Sequence, residues 1–160
     1  MPVQPKTYPP GTRPTSGQAA APVRRVLLVD DQPFFLAMGQ NILRGGGYTV
    51  QTAVGGAEAL EIVRKNPPDA ILLDVEMPGM DGFQTLRRLK GNPATQAIPV
   101  AMLTATLDPK LNQKAFQAGA EATILKSVSA QRLLNMLQVI LTTERATEPM
   151  AGPDPRNAIL

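Results

Sequence analysis

The chain of 160 residues contains no cysteine and no histidine. The first absence rules out disulfides and thiolate metal sites, and the second removes imidazole as base, nucleophile or ligand. Whatever chemistry the chain performs must run on carboxylates, hydroxyls, lysines and main-chain groups. Long apolar runs are also lacking: stretches such as Val26 to Val29 and Ala70 to Leu73 fall far short of the roughly 20 residues a membrane-spanning helix needs. The first 22 residues hold no apolar stretch of signal-peptide type. No membrane insertion is expected, and the cytoplasm is the expected location. Concentrated positive charge is missing too. The net charge is +3, but lysine and arginine are dispersed, with Arg24-Arg25 and Arg87-Arg88 only as pairs. This is ordinary solvated surface, so no nucleic-acid partner is expected.

What is present divides into three segments. Residues 1–22 hold six prolines among Thr, Gly, Gln and Ala, a composition that cannot bury enough apolar surface to offset the entropy of ordering. They read as a flexible arm, and residues 144–160, with Pro149, Gly152, Pro153 and Pro155, read as a flexible tail. Residues 23–143 carry the folded domain. On this reading no sequence remains for an output domain or a helix-turn-helix after the last helix.

Inside the domain, short β-branched runs alternate with amphipathic stretches, which predicts βα units on a parallel sheet. The strands are Arg25 to Val29, Thr49 to Ala53, Ala70 to Leu73, Val100 to Leu103 and Ala122 to Leu125. Helices are predicted over Pro33 to Leu43, Gly56 to Lys65, Gly82 to Leu89, Pro109 to Ala118 and Ser129 to Leu141. Glycine or proline ends most of them, and Asp108 stands before Pro109 as an N-cap. The first and third strands are almost wholly apolar, as strands covered by helices on both faces must be. In such sheets ligands bind beyond the carboxyl ends of the strands, so the residues just after each strand matter most.

Those strand ends deliver Asp30-Asp31, Asp74, Thr104 and Lys126 in order. Three carboxylates converging on one crevice repel one another unless a cation neutralises them, and an all-oxygen set suits a hard ion, with Mg²⁺ the expected occupant. A carboxylate can attack phosphorus without a general base because it is already ionised. A lysine and a hydroxyl then take up charge on the transferred group. Each residue alone has a plainer explanation: a helix cap for the acidic pair, a strand-closing residue for Thr104, a surface position for Lys126. Their joint occurrence does not.

At VLLVDDQP, ILLDVEMPGMDG, AMLTAT and ILK the chain resembles the receiver domain of two-component response regulators, over roughly Arg24 to Thr142. The resemblance implies a flavodoxin-like (βα)5 doubly wound sheet of strand order 2-1-3-4-5. It implies that Asp74 is the phosphoacceptor, with Thr104 the hydroxyl residue and Lys126 the lysine of the site. Asp30, Asp31, Asp74 and the main-chain carbonyl of Glu76 would hold Mg²⁺. Because the chain has no histidine, a phosphohistidine donor must arrive on a partner, implied to be a histidine kinase or phosphotransfer protein. Output would pass to a downstream protein target, with room for a phosphorylation-dependent dimer, and self-dephosphorylation would be the sole catalysis.

Two positions depart from the family pattern. Thr123 occupies the place of a usual aromatic, so signalling by ring rotation is not expected; movements of the loops at Thr104 to Asp108 and Lys126 to Ser129 would replace it. Ser127 replaces a proline often reached through a cis bond, and a cis Lys126-Ser127 bond would cost about 3 kcal/mol, so trans is expected. These departures motivate an alternative, a degenerate receiver acting as a phosphorylation-independent interaction module. A third reading, an aspartate-nucleophile phosphohydrolase, fits poorly, since no segment is available for a cap.

Overall fold

The computed structural model describes residues 23–147. The arm at 1–22 and residues 148–160 of the expected tail lie outside the described residues. Between them run β1 (Arg25–Val29), α1 (Pro33–Gly45), β2 (Thr49–Ala53), α2 (Gly56–Lys65), β3 (Ala70–Asp74), α3 (Gly82–Lys90), β4 (Val100–Thr104), α4 (Pro109–Gln117), β5 (Ala122–Leu125) and α5 (Ala130–Thr147). All strand pairs are parallel, in the order β2-β1-β3-β4-β5. This is the flavodoxin-like (βα)5 sheet that the sequence predicts.

Strand side chains alternate between faces, so each apolar run feeds two cores. Val26 and Leu28 of β1, Ala70 and Leu72 of β3, and Ala101 and Leu103 of β4 pack with Leu43 of α1 and Leu137, Ile140 and Leu141 of α5. Leu27 and Val29, Ile71 and Leu73, and Val100 and Met102 pack on the other side with Ala59 and Val63 of α2, Phe83, Leu86 and Leu89 of α3, and Ala115 of α4. Every residue of β3 and β4 is buried. Two helices on one face and three on the other leave the carboxyl ends of the strands as the exposed rim.

The helix ends follow local chemistry. Asp108 caps α4, its Oδ1 accepting from the Lys110 amide at 2.9 Å. Asp81 and Gln84 form a reciprocal capping box that starts α3. The Ser129 hydroxyl accepts from the Arg132 amide at 3.2 Å, so Ser129 precedes α5 instead of beginning it. That helix continues to Thr147, six residues beyond the expected Leu141 and into the stretch assigned to the tail. Glu144, Arg145 and Ala146 favour helix, and no glycine or proline interrupts before Pro149. None of the described helices is long and apolar enough to cross a membrane.

Candidate functional site

The register of the central strands builds the site. Val29 of β1 is opposite Leu73 of β3, so Asp30 and Asp74, one step on, emerge side by side about 4.8 Å apart, the strand spacing. Both sit almost entirely out of solvent, at 1% and 3% exposure. Asp31 follows at the half-buried mouth. One carboxylate oxygen from each of Asp30, Asp31 and Asp74 lies within 4.8 Å of the others.

Lys126 reaches this cluster from the far side of the sheet. Thr104 is opposite Leu125, and the Lys126 amide donates to the Thr104 carbonyl at 2.7 Å, which fixes where the side chain leaves the backbone. Its ammonium lies 2.7 Å from Asp30 Oδ2 and 3.1 Å from Asp74 Oδ1. The Phe35 ring covers the ammonium, with its centroid 4.3 Å from Nζ. Asp30 uses its other oxygen to accept from the Gln32 amide at 2.9 Å, which orients the carboxylate as the chain turns into α1.

The electrostatics are unbalanced. Burial, and next the Asp30 charge, push the Asp74 carboxyl up to about 6; Lys126 and the Glu76 amide pull it down without cancelling that rise. Burial also works against the Lys126 ammonium, but its hydrogen bonds to Asp30 and Asp74, and their charges, outweigh this and hold it above the ordinary lysine range. One lysine thus offsets only part of the repulsion among three acidic groups. The donor set is all oxygen, and among the described residues no hydrogen bond or ion pair occupies the Asp31 carboxylate. These residues fit a hard divalent cation such as Mg²⁺.

The remaining predicted residues stand differently. Thr104 is buried at the end of β4, but on the pleat side of Val100 and Met102, opposite the side of Ala70 and Leu72 to which Asp74 belongs. Its hydroxyl donates to the Thr106 carbonyl at 3.0 Å and accepts from the Thr106 amide at 3.2 Å. Among the described residues it makes no bond to Asp74. Glu76 has an exposed side chain, while its amide donates to Asp74 Oδ1 at 3.4 Å. Its carbonyl accepts no hydrogen bond from the described residues.

The loop MPGMDG owes its composition to close quarters. Gly79 has φ +75°, a left-handed conformation that side chains disfavour. At Gly82 a Cβ would fall 2.1 Å from the Asp74 carbonyl oxygen, so only glycine lets α3 start against the acceptor strand. Met77 is buried as loop packing. At the two departures, the Thr123 hydroxyl donates to Asn112 Oδ1 of α4 at 2.7 Å, and no peptide bond among the described residues is cis, so Lys126-Ser127 is trans as expected.

Phe35, Thr106 and Asn112 are the partners that the sequence analysis missed. Phe35 alone had a usable signal, an aromatic in the first turn after the acidic pair. Nothing in the pattern distinguishes it from Phe34, which is 72% exposed.

Residues 26–138 match the family model for the response regulator receiver domain. The gliding motility regulatory protein of Myxococcus xanthus is 41% identical over 114 residues, 71% of this chain and 15% of the relative. The response regulator MprA of a Mycobacterium species is 34% identical over 130 residues, 81% of this chain and 54% of the relative. The chain therefore spans only part of the length of these curated relatives. The crystal structure of the chemotaxis protein CheY4 of Vibrio cholerae superposes with a TM-score of 0.71 at 33% identity, covering 74% of this chain and 98% of that one. Strand order, acidic cluster and family match agree: the chain belongs to the receiver domains of two-component response regulators.

Proposed function

We propose that the domain is a phosphorylation switch in which Asp74 accepts a phosphoryl group from a phosphohistidine on a histidine kinase or phosphotransfer protein. The observation that carries this reading is a buried carboxylate at the end of β3, flanked by Asp30 and Asp31 and held at 3.1 Å by Lys126. In the transfer, an Asp74 carboxylate oxygen attacks phosphorus in line. The phosphorus–nitrogen bond breaks, and the imidazole leaves with the electron pair and takes up a proton. Asp30, Asp31, Asp74 and the Glu76 carbonyl would hold Mg²⁺, which when bound supplies positive charge to the transferred oxygens. Lys126 donates to one of those oxygens, and Thr104 turns its hydroxyl from Thr106 to another.

Loss of the Thr104 contacts to Thr106 frees the segment that leads to the Asp108 cap of α4. That supports output through the loops at Thr104 to Asp108 and Lys126 to Ser129, recognised by a downstream protein or by a second copy. We infer a cytoplasmic switch with no catalysis beyond its own dephosphorylation. The complete set of Asp30, Asp31, Asp74 and Lys126 favours this over a phosphorylation-independent module. The test is intact-mass analysis after incubation with acetyl phosphate and Mg²⁺. A labile adduct on the native chain and none on Asp74→Asn is the expected result; no adduct on the native chain refutes the reading.

A further inference from the structure

An ammonium group carries three N–H donors. In Lys126, one is donated to Asp30 Oδ2 at 2.7 Å, and Asp74 Oδ1 lies 3.1 Å from the ammonium as an ion pair. The third side is closed by the Phe35 ring, whose centroid lies 4.3 Å from Nζ, and the lysine side chain is only 12% exposed. The ring attracts the cation through its quadrupole but offers no lone pair, so it holds the ammonium without consuming its hydrogen-bonding capacity as a water or carbonyl would. Phe35, Asp30 and Lys126 line one largely apolar cavity of about 190 Å³ together with Leu28, Met38 and Leu133. The ring and the ammonium thus share an apolar surround.

We infer that Phe35 is a positioning residue for phosphoryl transfer: it keeps the third N–H of Lys126 dry, in place and uncommitted until a phosphoryl oxygen arrives. This deepens the phosphoacceptor reading and rests on it. A neighbouring water would hold that donor instead, and the incoming group would have to displace it. The sequence setting is economical. Phe35 is four residues past Asp31, in the first turn of α1, and it meets the exposed Phe34 edge to face, with centroids 6.4 Å apart at 90°.

The experiment follows adduct formation on the full chain with acetyl phosphate and Mg²⁺, by intact mass over time. An Asp74 oxygen bonds to phosphorus and acetate departs with the electron pair of the broken phosphorus–oxygen bond. Phe35→Leu, which keeps an apolar side chain and loses the ring, should slow this about three- to tenfold, the size of one cation–π contact. Phe35→Tyr, which keeps the ring, should stay within about twofold of the native rate. Mg²⁺ affinity of Phe35→Leu by titration calorimetry should be unchanged, because the carboxylates are untouched. In a Lys126→Met background the Phe35→Leu step should vanish.

A native rate in Phe35→Leu overturns the inference while leaving the phosphoacceptor reading standing. So does a Phe35→Tyr rate as low as that of Phe35→Leu, a parallel fall in Mg²⁺ affinity, or an undiminished effect without Lys126. A native chain that gains no adduct refutes the phosphoacceptor reading itself and takes this inference with it.

Discussion

Asp74 should destabilise the domain that it serves. With burial and Asp30 raising its carboxyl from 3.8 to about 6, the folded state binds the proton more tightly than the unfolded chain does. Each tenfold difference in proton affinity corresponds to about 1.4 kcal/mol, so ionised Asp74 costs the metal-free fold about 3 kcal/mol at neutral pH. Its side chain is 5% exposed, so solvent screening removes little of this. The sign follows from the raised value. Below the ordinary pKa the group is protonated in both states and costs nothing; the cost grows as pH rises through 4 to 6 and is complete above that. Asp74→Asn, an uncharged isostere, should therefore be more stable than the native chain in EDTA by about 3 kcal/mol at pH 7.5, about half that at pH 5, and about a fifth of it at pH 4. Urea denaturation at these three values, with equal slopes for both proteins, measures the differences directly. Saturating Mg²⁺ should shrink the gap at pH 7.5, because the ion stabilises the native cluster more than the variant. An Asp74→Asn variant that is no more stable than the native chain at pH 7.5 in EDTA, or a gap indifferent to pH, would refute the electrostatic account of the site.

Lys126→Met leaves Asp30 and Asp74 buried without their shared cation, and should cost about 3 kcal/mol in urea denaturation at pH 7.5. Adding Asp74→Asn to that variant should recover part of the loss. Gly82→Ala places a Cβ 2.1 Å from the Asp74 carbonyl and should cost about 2 kcal/mol or more through forced backbone shifts, read as a lowered denaturation midpoint together with slower adduct formation. Thr123→Val removes the hydroxyl bonded to Asn112 at 2.7 Å and should cost about 1 kcal/mol. With a non-hydrolysable phosphoryl mimic, amide shifts should appear in the loops at Thr104 to Asp108 and Lys126 to Ser129 of the native chain; silent loops would dismiss the proposed output route.

The ends of β1 and β5 are legible in the sequence because their apolar runs stop where Asp30 and Lys126 start, and that of β2 because Gly55-Gly56 follows one residue beyond it. The same rule clips β3 and β4 by one residue each. Asp74 and Thr104 read as loop, yet Asp74 still pairs with Leu103 and Thr104 with Leu125, since ladder hydrogen bonding is made by the backbone and is indifferent to side-chain polarity. The end of α5 was hidden for the opposite reason. Its apolar face ends at Leu141, but helix propensity carries the backbone past that face to Thr147.

By itself the sequence determined the alternation of strands and helices, the absence of sulfur and imidazole chemistry, and the set of oxygen and nitrogen groups at the strand ends, because period and composition are local properties. Only the tertiary structure decided which of these groups meet. It brought Lys126 to Asp30 across 96 positions of sequence and chose Phe35 over Phe34 as the cover of that ammonium. It also turned the Thr104 hydroxyl to Thr106 instead of Asp74. Those outcomes depend on strand order, register and pleat direction, which arise from packing two helical layers onto one twisted sheet and which no short window of residues encodes.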